Sequence, residues 1–134
     1  MDSTLAWNDL VAALRNELQE NGGLIRLLDQ QTIALCRYDG AENERLEDQI
    51  RAQIRIAIRC RQARELILKQ TAANLALGDE ASSETILARF PGYVQPLLDA
   101  LCTEVECLNG RLVERLRHNQ QLKEHFLTEI SPRS

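Results

Sequence analysis

Apolar side chains return every three or four positions along the first 35 residues, in the order Trp7, Val11, Leu14, Leu18, Asn21, Ile25, Leu28, Thr32, Leu35. That spacing is one face of a helix. Leu10, Leu24 and Leu27 widen the stripe, as a helix with two neighbours requires. The first helix is expected over residues 4–38, closing at the turn Tyr38-Asp39-Gly40-Ala41. Gly22 and Gly23 in its middle each cost about 1 kcal/mol relative to Ala. The apolar phase is nevertheless the same on both sides of them, so one uninterrupted helix is expected.

A second helix is expected over residues 42–77. Its acids Glu42, Glu44, Glu47 and Asp48 lie in the first turns, where they suit the positive end of the helix dipole. Its inner stripe runs Leu46, Ile50, Ile54, Ala57, then Arg61 and Arg64, then Leu68, Thr71 and Leu75. Gly78 reads as the stop. The stretch 79–93 reads as a loop with a short helix, capped by Ser82 or Ser83 and ended by Pro91-Gly92. A third long helix opens near Pro96 and spans residues 95–130, with the series Leu98, Leu101, Val105, Leu108, Leu112, Arg115, Asn119, Leu122, Phe126. Long helices with short turns predict an all-α fold: an elongated antiparallel up-down-up bundle of three long helices, with a short helix before the third, in one helical domain over residues 1–134.

Composition sharpens this picture. The chain has 134 residues, with 22 Leu against 4 Val and five aromatics, which argues for helices over sheets. Lys and Arg number 16 against 20 Asp and Glu, a net charge of −4, whereas a generic nucleic-acid binder needs a basic excess. No run of roughly 18 uncharged apolar residues exists to cross a membrane, and Asp2 and Asp9 sit where a signal peptide would carry positive charge. A cytoplasmic protein is expected, with no stable membrane insertion and with Cys36, Cys60, Cys102 and Cys107 reduced.

Candidate chemistry is sparse. There is no Gly-rich phosphate loop, no nucleophile elbow and no metal-binding histidine pair. Cys102 and Cys107 lie five apart, which fits no metal or redox spacing, and His118 and His125 stand two helical turns apart. Neither enzyme activity nor a cofactor or metal is expected. Fourteen of the 16 basic residues are Arg, and the stretch from Arg51 to Lys69 holds Arg55, Arg59, Arg61 and Arg64 with Glu65 as its one acid. Without an aromatic residue to stack bases, that strip reads as a solvated face paired with acids on neighbouring helices, and no nucleic-acid partner is expected. A protein-facing role for it stays open.

The third helix carries apolar residues over a broad arc to its end, where Phe126, Leu127 and Ile130 lie beyond the expected cover of the first two helices. Such a surplus suits a partner helix or self-association. Arg115 and Asn119 interrupt the seam. They either set register or mark a switch from packing within the chain to packing against another.

These features resemble the FlgN-like family of flagellar type III export chaperones. The resemblance rests on the leucine-spaced first helix, the turn Tyr38-Asp39-Gly40, Arg64 followed by Leu77-Gly78, and above all Leu108-Asn109-Gly110-Arg111-Leu112-Val113 in the third helix. Two features depart from it: Glu106 stands where the family often has another Asn, and the Gly22-Gly23 pair is unusual. The resemblance implies a helical protein that binds hook-associated (junction) subunits before export, prevents their early assembly and delivers them to components of the export apparatus. It also implies that the C-terminal helical region makes the contact. The partner-binding residues expected are then Asn109, Leu112, Val113, Leu116, Asn119, Leu122, Phe126 and Ile130, on a monomer or weak homodimer. The rival expectation is a homo-oligomeric coiled-coil scaffold with no export role.

Overall fold

The computed structural model describes residues 3–78 and 80–130, with side chains described over 7–78 and 80–129. Asp2, Asp79 and the side chain of Ile130, which the sequence reading covers, lie outside the described residues. Four helices account for almost all of the chain: α1 (Ser3–Cys36), α2 (Gly40–Asn74), α3 (Ser83–Leu87) and α4 (Gln95–Ile130). Among the described residues there is no strand. The fold is all-α.

Contacts divide the chain into two compact units, and α1, α2 and α4 each contribute to both. Unit 1 comprises Met1–Gln19 and Ile58–Glu106; unit 2 comprises Glu20–Ala57 and Cys107–Ser134. The core of unit 1 gathers Leu10 and Leu14 from α1, Leu68 and Ala72 from α2, Ile86 from α3, Phe90 and Val94 from the following loop, and Leu98 and Leu101 from α4. Unit 2 has its own core of Leu24, Ile25 and Leu28 from α1, Leu46 and Ile50 from α2, and Leu112 from α4. Burying each Leu contributes about 1.5–3 kcal/mol, so the four-three spacing read from the chain is the main force assembling both cores.

α1 passes through Gly22-Gly23 without a break. A Cβ at Gly23 would lie 3.5 Å from the Gln53 amide, which itself donates to the Glu20 carbonyl at 2.9 Å and to the Glu20 carboxylate at 2.7 Å. That distance is ordinary van der Waals contact, so a methyl group at position 23 would also fit beside the polar bridge from α2.

Three helix ends differ from the expected boundaries, the simplest being α3, which ends at Leu87 before reaching Pro91-Gly92. α1 stops at Cys36, and Tyr38 takes a left-handed conformation (φ 54°), with Asp39 N–H donating to the Ala34 carbonyl and Tyr38 N–H to the Leu35 carbonyl. This is a Schellman close. Asp39 then caps the next helix, its carboxylate accepting from the Glu42 N–H at 3.1 Å. α2 ends at Asn74 instead of continuing to 77, because Ala76 (φ 59°) makes the same reversal, with Leu77 N–H bonded to the Ala72 carbonyl. Leu77 packs on the core of unit 1, and that contact, not the glycine at 78, sets the turn. Of the two serines, Ser82 is the cap of α3, its hydroxyl accepting from the Thr85 N–H. Pro96 falls in the first turn of α4.

Candidate partner-binding face

The half of α4 in unit 2 carries the expected partner-binding residues, and the fold sorts them onto two faces. Leu112 and Phe126 are buried, with Phe126 at 6% exposure stacked on Tyr38 at 5.9 Å between ring centroids. Asn119 is 2% exposed. Leu122 and Asn109 are half-buried, and Asn109 accepts a hydrogen bond from Asn21 at 3.1 Å. The single docking stripe expected from the sequence is corrected here. Leu112, Asn119 and Phe126 are covered by α1, α2 and the turn between them, because the apolar arc facing 112, 119 and 126 is the one that closes the core of unit 2. What stays open is the flank: Val113 at 63%, Leu116 at 39% and Leu127 at 58% exposure.

Asn119 is a register residue within the chain. Its amide nitrogen donates to the Leu28 backbone carbonyl at 2.9 Å and to the Gln31 side-chain Oε1 at 3.0 Å, and its own oxygen accepts from the Thr32 hydroxyl at 2.7 Å. Gln31 passes the network on to Asn43 at 3.1 Å, and Asn43 to Glu47 at 3.4 Å. Glu47 is held in turn by Lys123 at 3.0 Å. Every polar atom of the buried amide thus has a partner, which is the condition for tolerating it in an apolar core. Arg115, the other interruption in the seam, pairs with Asp29 at 3.1 Å on a half-exposed edge.

Beside this network α2 and α4 leave a groove of about 180 Å³. Its apolar lining is Leu28, Ile50, Ile54 and Leu116, and its charged rim is Glu47, Arg51 and Lys123. Leu116 joins the groove to the exposed flank.

Unit 1 solves the same packing problem with charge. Glu17 is 1% exposed and is gripped by the Arg64 guanidinium, Nε to Oε1 at 2.6 Å and Nη2 to Oε2 at 3.2 Å. That two-point hydrogen bond holds the Arg64 pKa above its ordinary value. Nearby, burial raises the Cys102 thiol, with the Arg64 charge acting in the opposite sense. A recess of about 500 Å³ lies between α2 and α3, lined by Leu68, Ala72 and Ile86 with Arg64 and Lys69 at its edge.

The sequence reading missed the Glu17–Arg64 pair and the amide network as structures. Their signals were present: Glu17 stands three residues from Leu14 on the apolar face, and Arg64 interrupts the inner stripe of α2. The basic strip divides differently from the expectation of a face paired across helices. Of its members Arg64 alone reaches an acid on another helix, and Arg51 pairs with Glu47 and Asp48 on its own helix. Arg55, Arg59, Arg61 and Lys69 are exposed, and among the described residues none of them has an ion-pair partner.

His118 is exposed, and the His125 ring nitrogen lies 3.3 Å from the Tyr38 hydroxyl. Among the described residues no group of three or more His, Cys, Asp or Glu side chains could hold a metal ion. No helix of the described residues is long and apolar enough to cross a membrane. Compared with known proteins, the chain matches no family model, no curated protein and no solved structure.

Proposed function

We propose that this chain is a cytoplasmic export chaperone of the FlgN-like kind, which holds an amphipathic terminal helix of a hook–filament junction subunit and passes it to the export apparatus. The observation that carries the reading is the exposed apolar line Val113, Leu116, Leu127 on α4, continuous through Leu116 with the groove between α2 and α4. A client helix with apolar residues at three-four spacing would lay its stripe on this line, as helix-in-groove recognition does. The docking face therefore moves from the arc expected from sequence to its exposed flank. No catalytic role, cofactor or metal belongs to this reading.

The same reading has the three long helices running up, down and up. Within unit 2 the pairings of Glu20 with Gln53 and Gln31 with Asn43 support opposite directions for α1 and α2. Asn21 with Asn109 and Thr32 with Asn119 support a common direction for α1 and α4.

A client that is disordered before binding must be ordered on the surface, which costs part of the contact energy and keeps the complex reversible. Val113→Asp combined with Leu127→Asp should abolish capture of junction-subunit terminal peptides in a pull-down while circular dichroism still reports a full helical signal, since both positions are exposed. Undiminished capture by that double variant would overturn the assigned face. Substituting Phe126 is not an equivalent test, because its ring belongs to the core.

A further inference from the structure

The exposed line of α4 has a property that a simple apolar patch lacks. The exposed Val113, Leu116, Gln120 and Leu127, with the half-buried Lys123 that pairs with Glu47, follow one another at intervals of three, four, three and four, the narrow seam of a two-helix pair. Alongside the seam, on its outer edge, stand Arg117 and Glu124. Both are exposed, and among the described residues neither has a partner for its charge. We propose that this line pairs with the same line of a second copy of the chain, antiparallel, about a two-fold axis near residues 120–122.

The charges choose the direction. Antiparallel pairing sets Leu116 of one copy opposite Leu127 of the other, twice by symmetry, and brings Arg117 of each copy alongside Glu124 of the other. Parallel pairing leaves Arg117 and Glu124 seven residues apart along the axis, roughly 10 Å, so neither charge gains a partner. A two-fold contact must be self-complementary, and the charges on the edge of this seam are so in the antiparallel direction only. Gln120 at the centre supplies the polar position that fixes register in such pairs. Few apolar side chains enter the seam, so the interface falls short of the roughly 1,200 Å² of a stable complex, and the pair has a dissociation constant on the order of 10–100 μM. The pairing does not rest on the chaperone reading, because no client takes part in it. If that reading also holds, a client helix and the second copy compete for one line.

Sedimentation of the purified full chain over roughly 1–500 μM should show a monomer passing to a dimer. Arg117→Glu should weaken that association about fivefold to tenfold, by removing two ion pairs and creating two repulsions, and Arg117→Glu with Glu124→Arg should restore it. Direction is read by cross-linking in a background with Cys36, Cys102 and Cys107 replaced by Ser. A mixture of Leu116→Cys and Leu127→Cys copies should link through a short bismaleimide, and neither copy should link efficiently alone. Retention of the helical circular dichroism signal shows that each variant is folded. A monomer throughout the concentration range overturns the proposal, as does Leu116→Cys linking to itself as readily as to Leu127→Cys.

Discussion

The two units bury polar side chains in opposite ways. Unit 1 places a carboxylate, Glu17, among leucines and meets it with one guanidinium in a two-point hydrogen bond. Unit 2 places uncharged amides there, and spreads their hydrogen bonds over Asn119, Gln31, Thr32, Asn43 and two backbone and acidic acceptors. A charge in an apolar core depends wholly on its partner, whereas an amide network loses only the bonds of the member removed. The lesson is that equal burial carries unequal risk. The region with the single ion pair is fragile to one substitution, and the region with the network is graded in its response.

The largest effect tests the ion pair. Arg64→Met should destabilise the chain by about 3–5 kcal/mol, because Glu17 is left charged and buried. Glu17→Leu with Arg64→Met should recover most of that loss, and urea denaturation measures both. If Arg64→Met were nearly silent, the contrast between the units would fail.

Removing the centre of the network comes next. Asn119→Ala should cost about 1–3 kcal/mol in the same measurement, since Gln31, Thr32 and the Leu28 carbonyl each lose a partner but keep others or reach solvent. A cost as large as that of Arg64→Met would show that the network behaves as one unit.

A smaller effect compares the two left-handed helix ends. Ala76→Gly should stabilise by up to about 1 kcal/mol, by relieving the conformational cost of a Cβ at positive φ. Tyr38→Gly should show no such gain, because relief there is offset by the loss of the stacked pair with Phe126, about 0.5–1.5 kcal/mol.

The smallest effect is electrostatic. The hydrogen bond from Arg45 holds the exposed Glu42 carboxyl below its ordinary value of 4.5. A depressed acid stabilises the fold above its unfolded pKa, and that contribution fades as pH falls through the lower folded value. Glu42→Gln should therefore lower stability slightly at neutral pH and leave it unchanged at strongly acid pH, which gives a slightly shallower acid limb in a pH titration of stability.

Much of the fold was legible in the chain. Spacing located α1 through its glycine pair, α2 and α4, because a helix face repeats every three to four residues whatever it packs against, and the serine cap located the short α3. The helix ends were less legible. Ala76 and Tyr38 adopt a conformation that sequence rules assign to Gly, and it is the packing of Leu77 and of the Tyr38 ring that holds them there. The candidate site was legible only as a surplus of apolar positions on α4. Which of these positions are open depends on a rotation of about one residue around the helix, and Phe126 and Val113 look equally available until α1 and α2 are in place.

The sequence by itself determined the helical class, the order of the helices and the residues able to face a core, since these follow from local periodicity and propensity. Tertiary structure alone decided that Glu17 meets Arg64, that Asn119 joins Gln31, and that Val113, Leu116 and Leu127 remain outside. The physical reason is distance along the chain. Those partners are 47 and 88 residues apart, and no local preference couples side chains so far separated until burial brings their helices together.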